Sequence, residues 1–138
     1  MSVVLPPDME AWLCGYLRAR LPDVAGLQAG NKRPQDYRGS YPLIVVRDDG
    51  GSQSDRISFD RSIGVTVTGW TRSNDRPCKD LARRVYGLLT DDSIPFAAGS
   101  PVAAVVEQGC NGPYPVTDDL DVACYYLTVE YSAAGVLN

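Results

Sequence analysis

The stretch from Ser62 to Asp91, SIGVTVTGWTRSNDRPCKDLARRVYGLLTD, decides how this chain folds. In its first part Ile63, Val65 and Val67 fall on one side, and Thr66, Thr68 and Trp70 on the other. A period of two rich in β-branched residues predicts a half-buried strand. The period then changes. Cys78, Leu81, Ala82, Val85, Leu88 and Leu89 recur at spacings of three and four, which aligns them along one stripe of a helix. Ser73 or Asn74 is placed to cap that helix, and Pro77 falls in its first turn, where a missing N–H costs little. A strand, a turn and an amphipathic helix folding back on the sheet therefore form the centre of the protein.

Upstream, Asp8 reads as the N-cap of a first helix over about residues 8–20. Met9, Trp12, Leu13, Tyr16, Leu17 and Leu21 form its apolar stripe, Arg18 and Arg20 sit near its negative end, and Pro22 limits it. Trp12 reads as a core anchor. Residues 24–30, VAGLQAG, are a short edge strand weakened by two glycines. NKRPQDYRGSYP reads as an exposed, poorly packed loop that faces a protein, because its cations are too few to mark a nucleic-acid site in an acidic chain. PLIVVRD, residues 42–48, is a continuous apolar run and reads as a central strand. DDGGSQSDR then makes a flexible hairpin connection, so that a tip at about 48–57 projects from the body.

Downstream, Asp91, Asp92, Ser93 and Pro95 end the second helix, and residues 102–108 make a short strand. Residues 110–121 are turn-rich, and residues 122–132 form a last strand with Tyr125, Leu127, Val129 and Tyr131 on its apolar face. The expected fold is a single α+β domain over 1–138, with two helices on a mostly antiparallel or mixed sheet of four to five strands, in the order α-β-β-β-α-β-β.

Composition is that of an ordinary globular protein, with 44% hydrophobic and 22% charged residues in 138. No apolar run approaches the roughly 20 residues that span a bilayer. The opening MSVVLPPDME has neither the basic start nor the apolar core of a signal peptide, so the expected site of synthesis and assembly is the cytoplasm. Cys14, Cys78, Cys110 and Cys124 make no CxxC pair, and no histidine is present to complete a mixed zinc site; they read as reduced, mostly core, thiols. All 13 basic residues lie between Arg18 and Arg84, so residues 1–84 carry a net +3 and residues 85–138 a net −7, against −4 overall. Either one surface attracts another copy of the protein, or folding intermixes the charges.

No histidine means no Ser–His or Cys–His arrangement, and no GxxxxGK[ST] or GxGxxG is present to cradle phosphate. Asp48, Asp49, Asp55 and Asp60, and separately Asp118, Asp119 and Asp121, could in principle hold Mg²⁺ or Ca²⁺, yet neither group has the spacing of a calcium loop. Aspartate beside glycine is also ordinary turn chemistry. The sequence therefore predicts no catalytic residue, metal or cofactor.

The order of local phrases carries a resemblance. WLCGYLRARLP, PLIVVRDDGG with its polar tip, DRSIGVTVTGW, SNDRPCKDLARRVYGLL, GPYPVTDD and CYYLTVEYSA follow one another as in the tail terminator (tail-completion) proteins of long-tailed bacteriophages, especially those of actinobacteria. The likeness spans nearly the whole chain, and it rests on order and spacing rather than on a diagnostic motif. It implies a structural virion protein, not an enzyme, at the tail–neck junction. A homo-hexameric ring would cap the tail tube, end its polymerisation and join the head-closure protein of the neck, with DNA passing through a lumen of acidic or neutral groups. Ring closure would be heterologous. Lys32, Arg33, Arg38, Arg83 and Arg84 would then face Asp91, Asp92, Asp118, Asp119 or Asp121 of the next subunit. Asp48, Asp49, Gly50, Gly51, Ser52 and Gln53 would touch tube or neck, ordering on binding. The alternatives are another neck component, a small α+β binding domain unrelated to phage, and a Mg²⁺ enzyme using the aspartates.

Overall fold

The computed structural model describes residues 3–138; Met1 and Ser2 of the opening decapeptide lie outside the described residues. In chain order the elements are β1 (Val4–Leu5), α1 (Met9–Arg20), β2 (Gln28–Gly30), β3 (Leu43–Asp48), β4 (Ser58–Gly69), α2 (Arg76–Leu89), β5 (Val102–Val105), β6 (Asn111–Pro115), β7 (Ala123–Ala134) and β8 (Val136–Leu137). Short 3₁₀ turns occupy Ile94–Phe96 and Glu107–Gly109. The fold is α+β, as the periodicities predict.

The main sheet runs β2-β3-β4-β7-β5, with β6 beside β5 along the same flank of β7. Only β2 and β3 are parallel; the other pairs are antiparallel. Its spine is the pairing of β4 with β7 along their whole length, Ser58 opposite Ala134 through Gly69 opposite Ala123. Opposite residues share a face. Ile63 with Val129, Val65 with Leu127 and Val67 with Tyr125 thus point together into the core.

Both helices lie against that face. Met9, Leu13 and Leu17 of α1 and Cys78, Leu81, Ala82, Val85 and Leu89 of α2 complete one buried cluster with the sheet. Three long-range hydrogen bonds fix the helical layer. Tyr131 Oη donates to Leu89 O at 2.6 Å, Tyr16 Oη to Leu88 O at 3.3 Å, and Trp12 Nε1 to Ala98 O at 3.1 Å. Trp12 also stacks on Tyr16, ring centroids 4.9 Å apart, at the margin of the core. Asp8 caps α1 as expected, accepting from the Ala11 N–H at 3.1 Å.

The structure revises several expectations. The N-cap of α2 is Asp75, not Ser73 or Asn74, and its carboxylate is occupied by the Tyr125 hydroxyl at 3.0 Å instead of a helix N–H. The sheet has six strands, and β1 pairs with β8 as a separate two-stranded ribbon. β6 arises within a segment that reads as turns because Pro113 and Pro115 suggest none; an outer strand tolerates proline, since one side of its ladder is unpaired.

The loop 31–42 is largely exposed, as its polar composition predicts, but it is pinned to the sheet at Tyr37, its one buried residue. Leu43, Thr68 and Cys124 lie side by side on the helix-free face and are buried, as are Tyr37 and Val122. Gly39, at φ +89°, crosses so close to Val122 that a Cβ there would collide with it. Tyr37 Oη closes the loop on Tyr41 O at 2.8 Å. Farther along, the same face becomes polar and half-exposed, with Ser62, Thr66, Tyr126 and Thr128.

Candidate interaction surfaces

The hairpin tip is the first surface. Gly50, Asp49 and Ser52 continue the β3–β4 ladder beyond Asp48: Asp49 N–H donates to Ser62 O at 2.8 Å, Ser62 N–H to Gly50 O at 2.9 Å, and Asp60 N–H to Ser52 O at 2.7 Å. Gln53 bridges to Phe59, and Asp55 Oδ1 accepts from the Ile57 and Ser58 N–H groups at 2.9 and 2.8 Å. Gly50, at φ +84°, supplies the left-handed residue of the bulge, and Asp48 Oδ1 accepts its N–H at 2.8 Å. The tip is thus tied by its own main-chain and Asx hydrogen bonds. Residues 51–57 are all exposed.

The charged candidates do not sort into a basic and an acidic half. Arg33 forms a two-pronged pair with Asp118 of the same chain, at 2.7 and 3.2 Å. That guanidinium holds the Asp118 carboxyl below its ordinary value, and the Leu120 N–H assists at 3.0 Å. Arg72 adds a bond to Asp118 O, and its N–H donates to Asp121 at 3.3 Å. Arg84 makes a second two-pronged pair, with Asp23, at 2.9 and 3.0 Å, which lowers the Asp23 carboxyl. Folding therefore intermixes these charges. Arg33, Arg84 and Asp118 are already matched within one subunit, which weakens the expectation that they bind across a seam.

The remaining candidates are exposed. Lys32 and Asp119 lie near the Arg33–Asp118 pair, and Arg38 donates to the carbonyl of Tyr37 at 3.0 Å. Arg83 lies on the outer face of α2, 3.7 Å from Asp80. Asp91 and Asp92 follow the other end of that helix, where Ser93 donates to Asp91 and keeps its carboxyl below the ordinary value. Asp49 faces Arg47 at 3.2 Å. Asp48, Asp49, Asp55, Asp118 and Asp121 thus serve turns, backbone N–H groups and ion pairs, and no group of three His, Cys, Asp or Glu forms a metal cluster among the described residues.

The three buried thiols, Cys14, Cys78 and Cys124, are disfavoured as thiolates. Burial pushes Cys14 and Cys124 up, and Cys78 up to about 12. Tyr37 is likewise pushed up to about 12 by burial.

Two surfaces escape sequence reasoning. One is a cleft of about 430 Å³ between the N-terminal half of α2 and the loops before β2 and β3, walled by Tyr41, Pro42, Trp70, Pro77 and Leu81, with the Arg84–Asp23 pair at its rim. Trp70 ends β4 in the left-handed region at φ 55°, which turns its ring into this cleft. The other is Phe96, 86% exposed. It stands in a 3₁₀ turn with no period to flag it, although an aromatic residue beside aspartates outside any stripe was a signal to notice.

No helix among the described residues is long and apolar enough to cross a membrane. No protein-family model matches the chain, and no curated protein matches it. Among solved structures, one matches 90% of this chain over 89% of its own, at 18% identity and a TM-score of 0.53. At that identity the likeness establishes a shared fold and nothing further.

Proposed function

We propose that this chain is a structural protein of a phage tail, forming a ring that caps the tail tube, ends its growth and offers the surface on which the neck docks. The observation that carries this reading is the hairpin tip. Seven consecutive exposed residues stand on a ladder of main-chain bonds, as a preorganised contact element rather than a loop closing over a site. The resemblance in element order to tail terminators supplies the identity of the partners: the tube protein on one side, a head-closure protein on the other, and DNA passing through without specific contacts. Its place in the virion would be the tail–neck junction, reached after assembly in the host cytoplasm.

The test is negative-stain electron microscopy of the purified protein, alone and mixed with self-assembled tubes from the same gene cluster. Six-fold density on tube ends with growth arrested is the expected result. Tubes that lengthen unchanged in its presence would refute the capping role and favour another neck component or a binding domain.

A further inference from the structure

α2 has an aromatic knob beyond one end and an aromatic-walled cleft beside the other. The helix is 14 residues, about 21 Å long. Pro77, Asp80 and Leu81 of its first half, with Arg84 just beyond, contribute to the cleft, whereas Phe96 projects six residues past the C-cap at the opposite end. A surface knob and an aromatic-walled hole toward opposite ends of one helix allow a heterologous contact, which propagates from copy to copy and closes as a ring where the rotation permits.

The knob is rigid. Ile94, fully buried, anchors the 3₁₀ turn from below. The turn is tied by bonds from Phe96 N–H to Ser93 O at 2.9 Å and from Ser100 N–H to Ala97 O at 3.0 Å. Trp12 of α1 grips the next carbonyl, Ala98 O. A phenyl ring left in water on so fixed a turn gains apolar burial on docking and loses little conformational freedom. The cleft offers Tyr41, Trp70 and two prolines as walls, and its 430 Å³ lies within the ~300–1,000 Å³ of pockets that take drug-sized groups.

Charge selects a second copy as the occupant. Phe96 is preceded by exposed Asp91 and Asp92, and no cation follows Arg84 in the chain. The charged groups in the cleft wall are Asp23, Asp80 and Arg84, and Arg76 and Arg83 flank Asp80 at 3.7 Å each, so three guanidinium groups stand against two carboxylates at this rim. With Arg84 matched to Asp23, and Arg76 and Arg83 sharing the single carboxylate of Asp80, this pair of guanidinium groups has charge left to meet Asp91 and Asp92 of a neighbour. We propose that Phe96 of one subunit inserts into the Tyr41–Trp70–Leu81 cleft of the next, with Asp91 and Asp92 meeting Arg76 and Arg83 across the seam. This rests on the ring-forming reading and names its contact.

The experiment uses two variants that each disable one side of the seam. Phe96→Ala removes the knob from an exposed position, and Ser40→Trp blocks the cleft from its exposed wall, with Ala25→Trp as a second blocking variant. Sedimentation and native mass spectrometry follow assembly, alone and on tubes. Each variant should melt like the wild type yet associate at least about thirty-fold more weakly, the loss expected for an interface aromatic anchor. An equimolar mixture of Phe96→Ala with Ser40→Trp retains one intact seam per pair and should give dimers without rings. Phe96→Ala that still forms wild-type rings and caps tubes would overturn the knob while leaving the capping role intact. Wild-type rings broken by both variants but indifferent to tubes would leave the knob standing and refute capping. A mixture without dimers, or a wild-type chain monomeric with and without tubes, would overturn the proposal.

Discussion

Replacing Asp118 by Asn separates a structural ion pair from a seam contact. In the structure Asp118 accepts two bonds from Arg33 and one from the Leu120 N–H, and its side chain is only 11% exposed. Asparagine keeps an oxygen for Leu120, so the turn survives and only the charge is lost. Bonds to a charged partner contribute about 1.5–3 kcal/mol each when shielded. The Arg33 side chain is 37% exposed, however, and solvent screening brings the pair down to about 1 kcal/mol. The melting temperature should therefore fall by about 3–5 °C. Arg33→Gln should cost a similar amount, and the double variant no more than either single, because they remove one interaction. The pH dependence has a definite sign. The folded carboxyl lies below its ordinary 3.8, so the pair contributes fully above about pH 5 and fades as pH falls through the folded value. Denaturant titrations of wild type and Asp118→Asn should show a constant gap from neutral to about pH 5 that closes in stronger acid. Equal stability at pH 7, a gap that persists in strong acid, or an unaltered monomer with impaired assembly would refute the reasoning.

Three further outcomes follow from single contacts. Tyr131→Phe leaves the Leu89 carbonyl at the end of α2 without its buried donor, and should cost about 1–2 kcal/mol by chemical denaturation; an unchanged midpoint would show that this bond contributes nothing. Gly51→Ala drives a Cβ into the Asp60 carbonyl, so hydrogen exchange at the Asp60 amide should quicken and tube capping weaken while the global melt barely moves. Capping as in wild type with a disrupted tip would remove the hairpin from the contact. In Ellman titration of the native protein Cys110, half-buried, should react first, with Cys14, Cys78 and Cys124 protected until unfolding. Rapid reaction of all four would contradict the packing of the core.

Both helices and the long strands were legible because each shows its period over many residues. The alternation through Ile63, Val65 and Val67 and through Tyr125, Leu127 and Val129 names the buried face of β4 and β7, and the stripe from Cys78 to Leu89 names that of α2. Short elements were legible only where composition agreed. Residues 24–30 contain a strand at Gln28–Gly30, whereas β6 hides behind its prolines, and β1 and β8 are two residues each, too short for a period.

The sequence by itself determined the fold class, the core-facing residues and the absence of histidine chemistry, since these depend on local periodicity and on residue identity. Only the tertiary structure decided which charges are already spent, because Arg33 and Asp118 are 85 positions apart and meet only when two loops close over one end of the sheet. It likewise decided that the loop is pinned to the sheet at Tyr37, that the hairpin tip is tied by its own hydrogen bonds, and that Trp70 and Leu81 wall a cleft at the far end of α2 from Phe96. Ion pairs, clefts and knobs depend on distances between remote segments, and those distances exist only once β4 and β7 have paired and the helices have docked on them.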